Sequence, residues 1–339
     1  MGLTKHRRTT SIEDMRAIAC HHDELTITDV PVPDIANNEV LIRVAAAGVN
    51  RADLHQRRGN YPPPPGASEI LGVEVSGTVV EVGEHITEFR IGDHVCALLA
   101  GGGYAEFAAV PAAQVIPVPN AIESHAAAAL PEAACTVVSN LVLTAHLQPG
   151  ETLLIHGGSS GIGTHAIQLA KHLGARVAVT ARTPEKLAAC RELGADLAIN
   201  YADEDFAAVL AAHGGADVIL DIVGGNYLEA NITALNTGGR LVIIGMQGGS
   251  RGTLDIGQLL AKRATVAGTT LRSRPTYGDG SKAEIVAATL ELTLPLLANG
   301  TIRPVVDSVF PLAAAAEAHA RLESGDAIGK VLLIVADDE

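Results

Sequence analysis

The sequence predicts an α/β protein of two units: a doubly wound parallel sheet covered by helices, and a smaller, mostly antiparallel, barrel-like domain. Three observations carry this. The chain has 339 residues, long for a single hydrophobic core. From Met15 to about Val118, apolar residues recur at every second position in short runs bounded by glycine. From residue 150, runs that are apolar throughout alternate with amphipathic stretches, the pattern of a parallel sheet buried on both faces.

Along the chain, "LTITDVPV" and "EVLIRVAAAGV" alternate with period two, and "GVEVSGTVVEVG" and "GGYAEFAAV" read as further strands. Residues 122–146 turn helical and Ala-rich, with Pro131 as an interruption. "TLLIH" is a continuous apolar strand, and the next segment sets Ile162, Ala166, Leu169 and Leu173 on one helical face. After the strand "RVAVT", "TPEKLAACRELG" starts a helix with Thr183 as N-cap and Pro184 at the first position, and ends at Gly194. "LAIN", "DVILD", "RLVIIG" and "ATVAG" continue the sheet, and 281–298 reads as a helix. Residues 303–335 read as strand, helix and strand rejoining the first domain. The expected division is 15–137 with 275–339 for the barrel-like domain and 138–274 for the parallel sheet. Residues 1–14 are expected to form a flexible extension.

With 47% apolar and 18% charged residues the chain is too apolar for disorder. A net charge of −14, with no basic block beyond residues 5–8, argues against nucleic-acid or acidic-membrane partners. Cys20, Cys96, Cys135 and Cys190 have no paired spacing, which suits reduced thiols in a cytoplasmic protein. No apolar run of about 18 residues is expected to span a bilayer, and residues 1–14 lack the apolar centre of a secretory signal.

The chemistry concentrates in "LLIHGGSSGIGTHAIQLA", a Gly-rich turn between an apolar strand and an amphipathic helix. Gly158, Gly161 and Gly163 allow a tight turn and close approach to a pyrophosphate, with Ser160 and Ile162 in the same turn at the positive end of the helix. A nicotinamide dinucleotide is the expected ligand. Its type depends on the end of the second strand, where a site preferring NAD carries Asp or Glu. Here stand Arg182 and Thr183, with Lys186 one turn on, so NADPH is expected; Glu185 is the neighbouring counter-argument.

The run "NRADLHQRRGNYPPPPGAS", together with "LPEA", "INYADEDF" and "TTLRSR", resembles the medium-chain dehydrogenase/reductase superfamily. Within it the chain looks like the zinc-free quinone oxidoreductase branch that includes zeta-crystallin, especially the subgroup induced in animals by the tumour suppressor. The resemblance implies a chaperonin-10-like catalytic barrel, a Rossmann domain, and a cofactor cleft between them. Zinc relatives have Cys where this chain has Asn50 and His where it has Val73, so no metal is expected. His55, Asp53 and Glu74, or Cys20, His21 and His22, read as hydrogen-bonded loop residues, and Arg51 and Asp53 as braces. By the same resemblance Asn50 and Tyr61 line the cleft near the nicotinamide. Lys186 and Tyr201 contact the 2′-phosphate, and Gly245, Met246, Thr270, Leu271 and Arg272 lie along the nicotinamide half. Arg182-Thr183 departs from a Gly-Ser type pair at that position.

The implied activity is hydride transfer from NADPH to a quinone, with Tyr61 and Asn50 as positioning groups and the cofactor carrying the chemistry. The alternatives are reduction of an activated C=C bond, with Tyr61 as proton donor, and a non-enzymatic NADPH-binding role. A homodimer through an edge strand, "RLVIIG" or "ATVAG", is also expected, and the mass in solution tests it.

Overall fold

The computed structural model describes residues 13–336. Most of the 1–14 extension lies outside the described residues, but Asp14 already opens the first strand. β1 (Asp14–His21) and β2 (Glu24–Pro31) form a hairpin whose two turn residues, His22 and Asp23, both take positive φ, as the twist of a tight hairpin requires. β3 (Glu39–Val49), α1 (Arg51–Arg57), β4 (Glu74–Val82), β5 (His94–Leu98), β6 (Phe107–Pro111) and β7 (Val115–Pro117) follow. β3 is the spine: β4 pairs along one side and β6 with its first half. "GGYAEFAAV" is strand only from Phe107. Before it, Ala105 makes a single bridge to Ala17 and Tyr104 is fully buried.

α2 (Pro131–Val137) continues through Thr144 in wider turns. Pro131 sits at the first helical position, where its missing N–H has no partner to lose, so it starts this helix rather than interrupting it. The expectation of no membrane-length apolar run needs correcting. Ala126–Thr144 has 19 residues and is long and apolar enough to cross a membrane, yet 78% of its most apolar window is buried in the protein. It is a core helix.

The parallel sheet is built from β8 (Thr152–His156), α3 (Gly161–His172), β9 (Arg176–Ala181), α4 (Pro184–Glu192), β10 (Leu197–Asn200), α5 (Phe206–Ala212), β11 (Ala216–Asp221), α6 (Leu228–Ala234), β12 (Leu235–Ile243), α7 (Ile256–Lys262) and β13 (Thr265–Gly268). Its order is β10-β9-β8-β11-β12-β13. Counted from β8 this is 3-2-1-4-5-6, the doubly wound order that opens a ligand crevice where the winding reverses, between β8 and β11. β12, which carries "RLVIIG", is interior, and of the two candidate edges only β13 is one. α8 (Lys282–Ala298), β14 (Val306–Pro311), α9 (Ala315–Glu323) and β15 (Lys330–Ile334) return the chain to the first sheet, where β15 pairs with β3 and β14.

One apolar cluster crosses between the domains. Leu98 and Ile116 of the first sheet join Val137 and Leu141 of the core helix, Leu153 and Ile155 of β8, and Ile285 of α8. Each fully buried Leu or Ile contributes about 1.5–3 kcal/mol of transfer free energy. That shared core fixes the two sheets against each other and leaves the crevice at their upper edge.

Candidate active site

A cavity of about 390 Å³ lies at the carboxyl ends of β8 and β11, walled on its other side by Asn50, Leu322, Gly329 and Lys330. A larger cavity, of about 740 Å³, lies outside this crevice between α8 and the first sheet. Apolar side chains dominate its walls and it lacks the Gly-rich turn, so the chemistry points to the smaller one.

The turn after β8 is shaped by contacts that exclude side chains. A Cβ on Gly163 would sit 2.4 Å from the Gly157 carbonyl, and one on Gly158 would sit 2.6 Å from Val179. These two glycines serve helix–strand packing. At Gly161 the obstacle is Lys330, whose Cδ would be 2.2 Å away. Ser160 caps α3, its Oγ accepting from Gly163 N at 3.0 Å. Ser160, Gly161 and Ile162 line the cavity, so the unpaired N–H groups of the first helical turn open onto it.

At the far end the cavity meets Thr180, Arg182, Lys186 and Tyr201. Arg182 Nη2 stands 3.5 Å from Asp326, and Lys186 Nζ donates to the Gly325 carbonyl. Burial lowers the Lys186 pKa, opposed by Asp326. The strand end carries two cations and no carboxylate of its own. Thr183 is the N-cap of α4, as its place before Pro184 predicts, its Oγ1 accepting from Lys186 N at 3.4 Å, and it is not part of the cavity wall.

The floor is a charged cluster that sequence reasoning missed. Glu74, fully buried, pairs with the Lys330 ammonium. It also accepts from Asn50 Nδ2 at 2.8 Å and from Glu132 N at 2.8 Å. Lys330 Nζ donates to Asn50 Oδ1 at 2.6 Å, and Asn50 Nδ2 also reaches the Gly48 carbonyl at 3.2 Å. Both amide protons and the carbonyl of Asn50 are therefore engaged within the protein. Asn50 was expected to offer donors to a ligand; it instead fixes Lys330. A lysine opening the apolar run "KVLLIV" was the one available signal. Beside it Asp53, also fully buried, accepts from Asn50 N (2.8 Å), Gly72 N (3.0 Å) and the Tyr104 hydroxyl (3.2 Å). Asp53 is thus a brace for α1.

Tyr61 lies outside the cavity wall, its hydroxyl 3.3 Å from Thr270 Oγ1. Leu271 is buried in the shared core, and Arg272 is buried against Tyr61. Gly245 packs on the Ile222 carbonyl and Met246 is 58% exposed; the cavity wall from that segment is Gln247 and Gly248. The loop after β11 is held by Asp221, which accepts from Val223 N at 2.6 Å, Gly224 N at 3.0 Å and Asn231 Nδ2 at 3.1 Å. Asn231 Oδ1 in turn is 2.7 Å from buried His156 Nε2.

These buried groups predict a pH profile. Burial raises Asp53 and Asp221 to about 6 and Glu132, helped by Glu74, to about 7. It lowers His156, His165 and His319 to about 4. A raised carboxyl stabilises the fold at low pH, and that contribution is lost as pH rises through its folded value. A depressed imidazole stabilises at high pH, and its contribution is lost as pH falls from about 6.5 toward 4. Between about pH 4.5 and 6 the three protons held by folded carboxyls match the three held by unfolded imidazoles. Stability is expected to be nearly flat there, while His165→Gln gains stability as pH falls across the window. Denaturant midpoints against pH check this, and a wild-type chain losing stability steadily from pH 6 to 4.5 contradicts it.

Among the described residues no group of three or more His, Cys, Asp or Glu side chains is placed to hold a metal ion. Residues 36–120 match the family model described as alcohol dehydrogenase GroES-like domain, and residues 161–284 the one described as zinc-binding dehydrogenase. A quinone oxidoreductase of Sus scrofa is 32% identical over 315 residues, covering 91% of this chain and 92% of the relative. One of Pseudomonas aeruginosa is 33% identical, covering 87% and 91%. The structure of the Escherichia coli quinone oxidoreductase complexed with NADPH superposes with a TM-score of 0.83 at 30% identity, covering 95% of this chain and 99% of that one. With its GroES-like first domain, its 3-2-1-4-5-6 parallel sheet and these relatives over nearly its whole length, the chain belongs to the quinone oxidoreductases of the medium-chain dehydrogenase/reductase superfamily.

Proposed function

We propose that the protein is an NADPH-dependent, zinc-independent quinone reductase working in the crevice between its two domains. The observation that carries this reading is the pairing of Arg182 and Lys186 at the end of β9, in a cavity whose other end is the N-terminus of α3. Both ends suit anions: the free N–H groups a pyrophosphate, the cations a 2′-phosphate. The names of the relatives supply the acceptor class. Bound NADPH supplies a hydride; the protein's part is to hold the acceptor and exclude competing chemistry. Asn50 and Glu74 support zinc independence, since Lys330 already engages both.

A second reading is reduction of an activated C=C bond. Tyr61 favours it, because a hydroxyl already bonded to a second hydroxyl is placed to pass on a proton. The test is loss of NADPH absorbance with chelator-treated protein, offering ortho- and para-quinones beside enones and repeating with NADH. Quinone turnover with preference for NADPH is expected. Arg182→Ala with Lys186→Ala should lower that preference by at least about 100-fold, since two charge-assisted bonds are lost, each contributing about 1.5–3 kcal/mol. Turnover of enones alone moves the function to C=C reduction. Tight NADPH binding with no turnover leaves a binding role, and an unchanged preference in the double variant removes the phosphate reading.

A further inference from the structure

Arg272 lies on the segment that leaves the parallel sheet after β13 and leads to α8. It is only 4% exposed, yet its bonded partners are neutral oxygens. Nε donates to the Ala100 carbonyl at 2.7 Å, Nη1 to the Tyr61 carbonyl at 3.2 Å, and Nη2 to Gln56 Oε1 at 2.5 Å. The guanidinium carbon also sits 5.3 Å from the centre of the Tyr61 ring. One residue of the parallel-sheet side thus holds three points of the other domain: the end of α1, the loop after it, and the loop after β5. Gln56 extends the grip by donating to the Glu69 carbonyl at 2.9 Å, closing the loop that carries Tyr61. Two residues before Arg272, Thr270 meets the Tyr61 hydroxyl. Tyr61 is therefore held by its carbonyl, its ring face and its hydroxyl from a single tripeptide.

We propose that Arg272 is a positioning residue for Tyr61: it sets the place and tilt of the phenol that the acceptor meets, across the junction of the two domains. Resemblance had suggested a contact with the cofactor, but the bonded N–H groups of Arg272 all donate to the other domain: one to the Tyr61 carbonyl, one to Gln56 at the end of α1 and one to Ala100 after β5. The geometry requires arginine. Only a planar fork reaches three separated oxygens while leaving a face for an aromatic ring, and lysine keeps the charge but loses the fork. The proposal rests on the reading that Tyr61 faces the reacting molecule, and its test separates the two.

The chain has five tyrosines and no tryptophan. With tyrosine labelled by 13C at the phenol carbon, the Tyr61 resonance is assigned by its loss in Tyr61→Phe. Arg272→Lys should displace or broaden that resonance and leave the other four in place. Gln56→Leu, which removes one acceptor and leaves Arg272 intact, should move the same resonance less and guards against a variant that fails to fold. In quinone turnover, Arg272→Lys should lower kcat/KM by about 10- to 100-fold, the scale of a small misplacement of a reacting group. In the Tyr61→Phe background the same change should cost less than about twofold, because the two residues act through one group. An unmoved Tyr61 resonance, or equal losses in both backgrounds, overturns the proposal and leaves Arg272 a structural staple. Full activity of Tyr61→Phe instead removes Tyr61 from the reaction, while the resonance still decides whether Arg272 places it.

Discussion

Lys330→Met is expected to lower the unfolding free energy by about 3–5 kcal/mol, the cost of leaving one partner of a buried ion pair behind. The size follows from burial. Glu74 is fully buried and Lys330 nearly so, and Glu74 keeps only the Asn50 amide and the Glu132 N–H once the ammonium is gone. A carboxylate in that position has lost its water without an equal replacement. The intact pair, by contrast, need not stabilise the fold much, because two desolvated ions offset most of their attraction. Glu74→Gln combined with Lys330→Met should therefore recover most of the loss, since amide and thioether are neutral. Denaturant unfolding of the wild type, both single variants and the double variant forms the cycle. A double variant as unstable as the sum of the singles would show that the two charges act independently, and the account of the floor would be wrong.

The same cluster joins stability to the site. Lys330 opens β15, whose strand pairs with β3, and Asn50 follows β3 directly. Sheet register thus delivers ammonium, carboxylate and amide to one point beside Gly161. Losing Lys330 frees both the Asn50 carbonyl and the space in which a Gly161 Cβ would otherwise collide.

What sequence alone made readable was whatever depends on neighbours along the chain. Thr183 announced a helix start because an N-cap bond spans three residues, and the structure has it. The Gly-rich turn stood out because strand, turn and helix follow within about twenty residues. Asn50 lines the crevice, and its engagement by Lys330 was not legible, since that partner lies 280 positions away. Arg272 and Tyr61 are 211 positions apart, and no local pattern marks such a pair. Lys330 opens the apolar run "KVLLIV", and nothing else local in that run points to a buried ion pair. The end of β9 was legible in its charges, while its contacts with Gly325 and Asp326 needed the fold. Helix boundaries suffered from the opposite error: Pro131 was read as a breaker because its position relative to the turn before it was unknown.

Gly163→Val is expected to weaken NADPH binding by at least about 100-fold, the equivalent of roughly two lost phosphate hydrogen bonds at about 1.5 kcal/mol each. The reason is geometric rather than conformational, since Gly163 has an ordinary helical φ and is absent from the positive-φ glycines. Its missing side chain is replaced by backbone: a Cβ would lie 2.4 Å from the Gly157 carbonyl, 2.5 Å from the Gly158 carbonyl oxygen and 2.6 Å from its carbon. Backbone cannot swing aside as the stem of Lys330 could for Gly161. The turn must lift away from α3, and with it go the Ser160 cap and the N–H groups that open onto the cavity. Overpacking of this kind also costs about 1–3 kcal/mol of stability. Titration of NADPH against wild type and variant, with unfolding midpoints measured on the same samples, separates affinity from folding. A folded variant that binds NADPH within about twofold of wild type, against the tenfold that each 1.4 kcal/mol represents, would mean that the cofactor does not sit on this turn. The Arg182 and Lys186 reading would then fall with it, because those cations serve a phosphate only if the turn anchors the other end of the same molecule.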